Sequence, residues 1–300
     1  MKKKYYIPLV LFLGNCISTG VLNTSHAQQS INLIGVEYHH NITPNNNAPD
    51  FYNFKAQATV PILYSDNYFF AALPRYNQTH IEDPGFGLSS HIFRRVNVPF
   101  IFEHKISSHQ SIGGILSPGI HSDFKDISRE DWVFIAAVFL KNTKNPHFHF
   151  RYGLVFSRQI TGMMIIPAVM FNWQPTDRIT VDNNDPLSPE FSYNISRNLA
   201  AGIVLQRRGG TSKLSETFQS RSIKDVRYEM APYIDFNIWD KFVLRGAAGY
   251  TLSRQVKLFE DIDAGSTWSN IFKDRGVLME RKFSGWFFNV GLRLEINRNQ

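Results

Sequence analysis

Apolar and polar residues alternate without a break in the last strand-like run of the chain, residues 286–296. One face carries apolar side chains: Trp286, Phe288, Val290, Leu292, Leu294 and Ile296. The other face is mostly polar: Phe287, Asn289, Gly291, Arg293 and Glu295. A period of two residues predicts an extended strand with two unlike faces. In a soluble protein the apolar face would point into a core, whereas in a membrane barrel it would point to lipid.

The same alternation recurs along the chain, and no segment has a convincing helical period. We predict strands at residues 31–39, 52–63, 66–80, 91–106, 109–121, 131–142, 147–158, 163–174, 178–184, 188–195, 198–208, 227–238, 241–256 and 282–296. The connections between them alternate between short and long along most of the chain. Bacterial outer-membrane barrels have short periplasmic turns and longer extracellular loops. The pattern therefore predicts an all-β, transmembrane antiparallel β-barrel of about 14 strands, with 12 as the alternative and both termini in the periplasm.

The polar faces of these strands carry charged and imidazole side chains that we expect to line the lumen. They are Lys55, Arg95, Glu103, His149, Arg151, Glu229, Asp235, Arg245, Arg293 and Glu295. Mixed charge of this kind suits a hydrated or salt-bridged lumen, because a buried charge must be paired or in contact with water. An open pore and a lumen plugged by these side chains are both compatible with the pattern.

Four tryptophans lie at strand ends. Trp173 and Trp239 come just before short turns, and Trp132 and Trp286 come just after long loops. Amphipathic indole rings prefer the membrane–water interfaces, so we predict that these residues form the two interfacial girdles.

Six prolines fall inside the predicted strands: Pro61, Pro74, Pro99, Pro118, Pro167 and Pro232. Proline cannot donate to a hydrogen-bond ladder and normally avoids central strands. A closed barrel must therefore accommodate these residues at bulges or near the interfaces. If it does not, some of these strands are edges, and the fold is an open sheet or a sandwich.

The amino terminus has the pattern of an export signal. Lys2, Lys3 and Lys4 precede a short apolar stretch, and cleavage after Ala27 is expected. This leaves residues 28–300 as a single barrel domain and lowers the formal charge from +7 to +4. Cys16, the only cysteine, lies in the signal, which excludes disulfides and a thiol nucleophile from the mature chain. Lys and Arg are scattered, so no nucleic-acid footprint is predicted.

A set of motifs between residues 165 and 250 resembles a known family. The residues that carry the resemblance are Pro167, Trp173-Gln174-Pro175, Asp185-Pro186, Phe191-Ser192-Tyr193, Gly202, Tyr228 to Tyr233 and Gly249-Tyr250. The chain is similar here to uncharacterised bacterial outer-membrane β-barrels of the Bacteroidota type. The resemblance implies a barrel in the bacterial outer membrane, with no assigned activity, and it implies that in-strand prolines are tolerated.

Several short groups of residues resemble parts of catalytic, metal or phosphate sites, but each has a simpler structural interpretation. His147 and His149 share a strand face but lack a third metal ligand. Ser108-His109 reads as a turn, and 182–185 as an Asx-rich turn rather than a calcium loop. Arg207-Arg208-Gly209-Gly210 suggests phosphate binding, but no helix follows it, so we interpret it as a flexible surface loop. No catalytic, cofactor or metal site is predicted.

Three functions remain open. The first is passive passage or binding of a small solute in the lumen. The second is a structural or surface-interaction barrel that acts through loops 209–226 and 257–281, and the third is a lipid-modifying enzyme. The expected partners are outer-membrane lipid and the barrel-insertion machinery, which would read the carboxy-terminal strand. That strand departs from the usual aromatic ending because the chain closes on the polar tail Asn297-Arg298-Asn299-Gln300.

Overall fold

The computed structural model describes residues 30–42, 50–83, 88–145, 147–160, 162–183, 188–215, 221–239, 241–260 and 277–297. The predicted signal, residues 1–27, lies outside this range. The strands are β1 (Ser30–Ile42), β2 (Asp50–Ala58), β3 (Val60–Tyr64), β4 (Tyr68–Ala72), β5 (Arg75–Asp83), β6 (Leu88–Asn97), β7 (Phe100–Lys105), β8 (Gln110–Ser122), β9 (Trp132–Asn145), β10 (Phe148–Gln159), β11 (Gly162–Thr176), β12 (Ile179–Asn183), β13 (Glu190–Ser196), β14 (Leu199–Lys213), β15 (Ser222–Ile238), β16 (Phe242–Phe259) and β17 (Val277–Asn297). A 3₁₀ turn at Arg129–Asp131 precedes β9.

The strands form a closed antiparallel barrel. Each strand pairs with its neighbours in the chain, and β1 pairs with β17 to close the ring, with Tyr38 opposite Val290. Three pairs of segments, β2–β3, β4–β5 and β6–β7, are single strands interrupted by one or two residues, so the barrel has 14 strands. The predicted fold class and strand number are confirmed. No helix among the described residues is long and apolar enough to cross a membrane.

The interruptions show how the barrel accommodates its prolines. The N–H of Ala58 donates to the carbonyl of Pro74 (3.0 Å), that of Leu73 to Pro99 (2.7 Å) and that of Val98 to Pro118 (3.0 Å). Each proline lacks its own N–H, but its carbonyl still accepts a bond from the neighbouring strand. Pro74 and Pro99 therefore lie between strand segments rather than inside strands, and the ring stays closed across this row.

The two ends of the barrel differ. Short connections and both described termini lie at one end, which we name the turn end, and the longer connections lie at the other, the loop end. Two predicted loops were too long, and the boundaries at both ends of each were wrong. Residues 209–213 and 222–226 belong to β14 and β15, and 257–259 and 277–281 belong to β16 and β17. The middles of the predicted loops, 216–220 and 261–276, lie outside the described residues.

Side chains alternate between an exposed outer face and a buried inner face along most strands, as the period of two predicts. Large apolar residues on the outer face are 39 to 57 % exposed: Val36, Tyr38, Ile203, Ile234, Leu244, Val290 and Leu292. Phe287 and Asn289, which alternate with them on β17, are only 2 % and 4 % exposed. The barrel thus presents an apolar outer wall and encloses its polar side chains.

Candidate functional site

The interior of the barrel is divided into an apolar half and an ionic half. The apolar half is filled by inward side chains of β4 and β7–β11, together with Leu73: Phe69, Ala71, Leu73, Ile101, Ile115, Ile135, Ala137, Phe139, Val155, Ala168 and Met170. These residues pack as one buried cluster. Apart from the predicted residues Glu103, His149 and Arg151, the inner faces of these strands are therefore largely apolar, which the expectation of a hydrated or salt-bridged lumen did not include.

The ionic half is built by β1, β2, β5, β6 and β13–β17. Arg245 of β16 bonds Asp235 of the neighbouring β15 (Nε–Oδ1 2.7 Å) and Glu190 of β13 (Nη2–Oε1 2.8 Å). Arg293 also reaches Asp235 (Nη2–Oδ2 2.9 Å) and Glu295 (Nε–Oε1 2.5 Å). Inward side chains of consecutive strands lie next to each other in a barrel, so residues far apart in sequence become ion pairs here.

Deeper in the ionic half lies a buried network around Glu229. The carboxylate of Glu229 contacts His39 Nε2 (3.1 Å), Arg227 Nε (3.2 Å) and Arg208 Nε (3.4 Å). Asn41 accepts from Arg227 Nη1 (3.0 Å) and donates to Thr251 Oγ1 (2.8 Å). Glu229 and His39 are fully buried, so these pairings meet the requirement that buried charge be compensated.

A central cavity of about 410 Å³ remains between these groups. Among the described residues that line it, seven are cationic: Lys55, Arg75, Arg95, Arg207, Arg208, Arg227 and Arg245. Three are carboxylates: Glu37, Glu190 and Asp225. Glu229 and Asp235 lie directly behind the lining and pair with Arg227 and Arg245. Counting these two as well, positive groups still outnumber negative ones at the cavity.

A second cavity of about 150 Å³ lies nearer the turn end, where it is bounded by Asn32 and Arg293. The two cavities share part of their lining, namely Glu37, Lys55, Gln57, Arg245 and Asn289. Asn289 Nδ2 donates to Glu37 Oε1 (2.5 Å), and Glu37 also forms an ion pair with Arg208. A polar path thus runs along β1, β2, β16 and β17. Glu37 and its partners lie between the two cavities and separate them.

The loop end of this path is covered by an apolar cluster, which we name the latch. Inward residues of β2, β5 and β6 pack against residues of β15, β16 and the β14–β15 connection. The latch comprises Phe51, Ile81, Phe93, Leu214, Ile223, Val256 and Leu258. The guanidinium of Arg254 lies over the ring of Phe51, 3.0 Å from its centroid, and binds Asp225 (Nη2–Oδ2 2.8 Å). The ends of the long strands β14–β16 therefore reach across the interior to the opposite wall.

Polar contacts hold residues 212–215, at the loop end of β14, in this position. Lys213 pairs with Ser122 of β8 in a single parallel bridge and forms an ion pair with Glu130. The N–H of Ser215 donates to Asp123 Oδ2 (3.2 Å), and Arg95 Nε donates to Ser212 Oγ (3.4 Å). Strands β8 and β14 are not neighbours in the ring, so these contacts exist only because the hairpin crosses the mouth of the barrel.

All ten predicted lumen residues lie on the inner wall, but in separate groups. Lys55, Arg95 and Arg245 line the central cavity, and Arg293 lines the smaller one. Glu229, Asp235 and Glu295 are ion-pair partners beside them. Glu103, Arg151 and His149 lie in the other half, near the turn end. There Glu103 binds Lys141 Nζ (3.3 Å) and Ser111 Oγ (2.7 Å), and His149 Nδ1 lies 3.1 Å from Thr143 Oγ1.

The segment 207–210 was misassigned as a flexible surface loop. It belongs to β14 and lines the central cavity. Gly209 has a φ of +118°, and a Cβ there would lie 2.0 Å from the carbonyl oxygen of Asp225. The position therefore requires glycine for backbone conformation and close strand approach. The two glycines suggested a loop, but they mark a strand distorted by its tertiary contacts.

Other candidates for chemistry are not assembled into sites. Ser108 Oγ lies 2.8 Å from His109 Nδ1 in an exposed turn, and Ser107 Oγ accepts from the His109 N–H, as expected of a local turn. Among the described residues no group of three His, Cys, Asp or Glu is placed to hold a metal ion. Residues 184 and 185 of the Asx-rich turn lie outside the described range.

The four predicted girdle tryptophans are exposed on the outer wall. Trp173 and Trp239 lie toward the turn end and are 47 % and 84 % exposed, while Trp132 and Trp286 lie toward the loop end at 53 % and 61 %. Trp286 stacks edge-on against Tyr250, with ring centroids 5.3 Å apart. This is the placement that two interfacial belts would require.

Comparison with known proteins gives a family but no activity. No curated protein matches the chain. Similar solved structures include the TodX monoaromatic hydrocarbon channel (deltaS2 mutant; 9 % identity, 88 % of each chain covered, TM-score 0.38). The Pseudomonas putida toluene transporter TodX matches at 9 % identity, with 91 % of each chain covered and a TM-score of 0.33. The Escherichia coli outer membrane phospholipase A matches at 8 % identity over 97 % of this chain and 98 % of that chain, with a TM-score of 0.32.

At these identities and TM-scores the solved structures say nothing about what this chain binds. The family match is more informative. A model described as a domain of unknown function (DUF6268) matches residues 88–295, which include all the motifs on which the resemblance was based. The chain therefore belongs to the DUF6268 family, whose function is unknown.

Proposed function

We propose that this protein is an outer-membrane barrel that binds a small solute in its lumen and passes it when the latch opens. The apolar outer wall, the closed hydrogen-bond ring and the positions of the tryptophans support placement in a bilayer, with the turn end in the periplasm. Catalysis is not part of the proposal.

The observation that carries the proposal is the pair of adjoining polar cavities under an apolar latch. A plug would leave no such space, and a wide pore would have no cover. Cavities of a few hundred Å³ are the size at which proteins hold small molecules. The latch consists of packed side chains from strand ends, and such elements are drawn from the less stable parts of a fold, so they can open.

Conductance in planar bilayers tests this proposal. The wild-type protein should give rare, brief openings, since the latch covers the path. The double variant Ile223→Asn/Leu258→Asn places amides in the latch and should increase the open time severalfold. Leu278→Asn is the matched control, because Leu278 is exposed on β17 at the same end.

Two results would reject the proposal. One is a wide, permanently open wild-type channel. The other is a double variant that retains heat-modifiable migration, and is therefore folded, but conducts no more than wild type.

A further inference from the structure

We propose that the central cavity is a binding site for a small anion that carries a phosphate or carboxylate group. This inference rests on the proposed function and names the class of solute. It depends on three features of the cavity: the charge of its lining, the two glycines of β14 at 209 and 210, and the buried hydroxyl of Thr211, which has no hydrogen-bond partner among the described residues.

The charge of the lining comes first. Of the residues described in the structure, seven cationic side chains and three carboxylates face the space. Arg208, Arg227 and Arg245 are engaged by carboxylates, as described above. Arg95 Nε, in contrast, donates to a hydroxyl, Ser212 Oγ (3.4 Å). A hydroxyl does not neutralise a guanidinium, so positive potential extends into a cavity whose low-dielectric walls focus it.

The backbone of β14 brings these groups together. Gly210 lies against the guanidinium of Arg95, and a Cβ on Gly210 would be 3.1 Å from Arg95 Nη1. The positive φ of Gly209 distorts the strand beside it. The glycines thus allow β14 to approach an arginine from β6 on the opposite wall. Planar guanidinium groups are well suited to bind carboxylate and phosphate oxygens through two parallel hydrogen bonds.

Thr211 supplies the third feature. Its side chain is 3 % exposed and lines the cavity, and its Oγ1 has no hydrogen-bond partner among the described residues. A buried hydroxyl without a partner is costly, and a bound oxyanion would accept from it. Arg95 and Thr211 are therefore the groups that we assign to the anion.

Titration calorimetry of the folded protein in a nonionic detergent tests the assignment, with inorganic phosphate and a sugar phosphate as probes. Wild-type protein should bind both at low ionic strength. Arg95→Gln should weaken binding about tenfold, the loss expected for one charge-assisted hydrogen bond. Thr211→Val, which keeps the shape and the charge, should weaken it severalfold. Arg158→Gln is the control, since Arg158 is an exposed arginine at the loop end of β10.

Several outcomes would overturn the assignment. One is a wild-type titration that shows no heat of binding at low salt, and another is an Arg95→Gln variant that binds as well as Arg158→Gln. Binding only of solubilised phospholipid, and not of free phosphate, would also reject it, since it would place the site on the outer wall. If Arg95→Gln loses heat-modifiable migration, it is not folded and its binding is uninformative. The affinity of Thr211→Val relative to wild type then decides whether the assignment holds. If no anion binding is found but the double latch variant conducts as expected, the proposed passage of a solute stands and only its assignment as an anion is rejected.

Discussion

At the scale of single residues, the two faces of one strand require different side chains, apolar on the outer face and polar on the inner face of the ionic half. Val290 and Asn289 are neighbours on β17, yet Val290 is 47 % exposed and Asn289 is 4 % exposed. Asn289 donates to Glu37 and borders both cavities, so even a polar replacement there would disturb the partition between them. The alternation identifies the face of each residue, but only the neighbours across the lumen reveal how tightly that residue is held.

The outer face permits a clean test of membrane insertion. Val290→Arg should reduce the free energy of unfolding by about 2–4 kcal/mol, because it places a charge near the middle of the hydrocarbon. Leu278→Arg is the matched control. Leu278 has the same outward orientation on the same strand and nearly the same exposure, 45 %, but lies beyond Trp286 at the loop end. It should cost at most about 1 kcal/mol. Reversible unfolding in lipid vesicles measures both values, and equal costs would argue for a soluble barrel.

At the scale of elements, strand positions could be predicted from the sequence and the ends of the long strands could not. The alternation over 227–238 and 241–256 is a local property, and the strands appear where it does. The extensions 209–213 and 222–226 carry glycine and polar residues, which locally favour a loop. They are strands because they pair with each other and pack on β2, β5 and β6. The hydrogen bonds to the carbonyls of Pro74, Pro99 and Pro118 connect four adjacent strands. They could not be predicted from the position of each proline in the sequence.

The latch makes a prediction about protease sensitivity at this scale. Lys213 and Lys257 are each 8 % exposed in the closed arrangement, so trypsin should leave both sites intact in the wild-type protein. Ile223→Asn/Leu258→Asn should release the strand ends and allow cleavage after these lysines, while Leu278→Asn should not. Mass spectrometry of the fragments identifies the sites. An unchanged fragment pattern in the folded double variant would mean that the strand ends are held by their polar contacts and not by the latch.

At the scale of the whole molecule, the interior is the part that the sequence predicted least. The ten predicted lumen residues are all inward, because the period of two determines the face. Their division between two halves of the interior depends on which strands lie opposite each other across the ring. It also depends on the apolar cluster formed by β4 and β7–β11, which occupies one half. Arg75, Arg227 and Arg254 were missed for the same reason. Their surroundings become defined only when β14–β16 cross the mouth of the barrel.

The orientation of the barrel follows from the asymmetry of its two ends, and the natural absence of cysteine after Cys16 makes it testable. Ile127, which is 55 % exposed, lies between β8 and β9 at the loop end, and Asn198 lies in the exposed turn between β13 and β14. In intact cells of a Gram-negative host, a membrane-impermeant maleimide should label Ile127→Cys. Asn198→Cys should react only after the outer membrane is permeabilised, because short turns face the periplasm. The reverse pattern would invert the barrel and place the latch on the periplasmic side. Labelling of both variants in intact cells would mean that the wall does not separate two compartments, since a spanning barrel cannot expose both ends to the same solution.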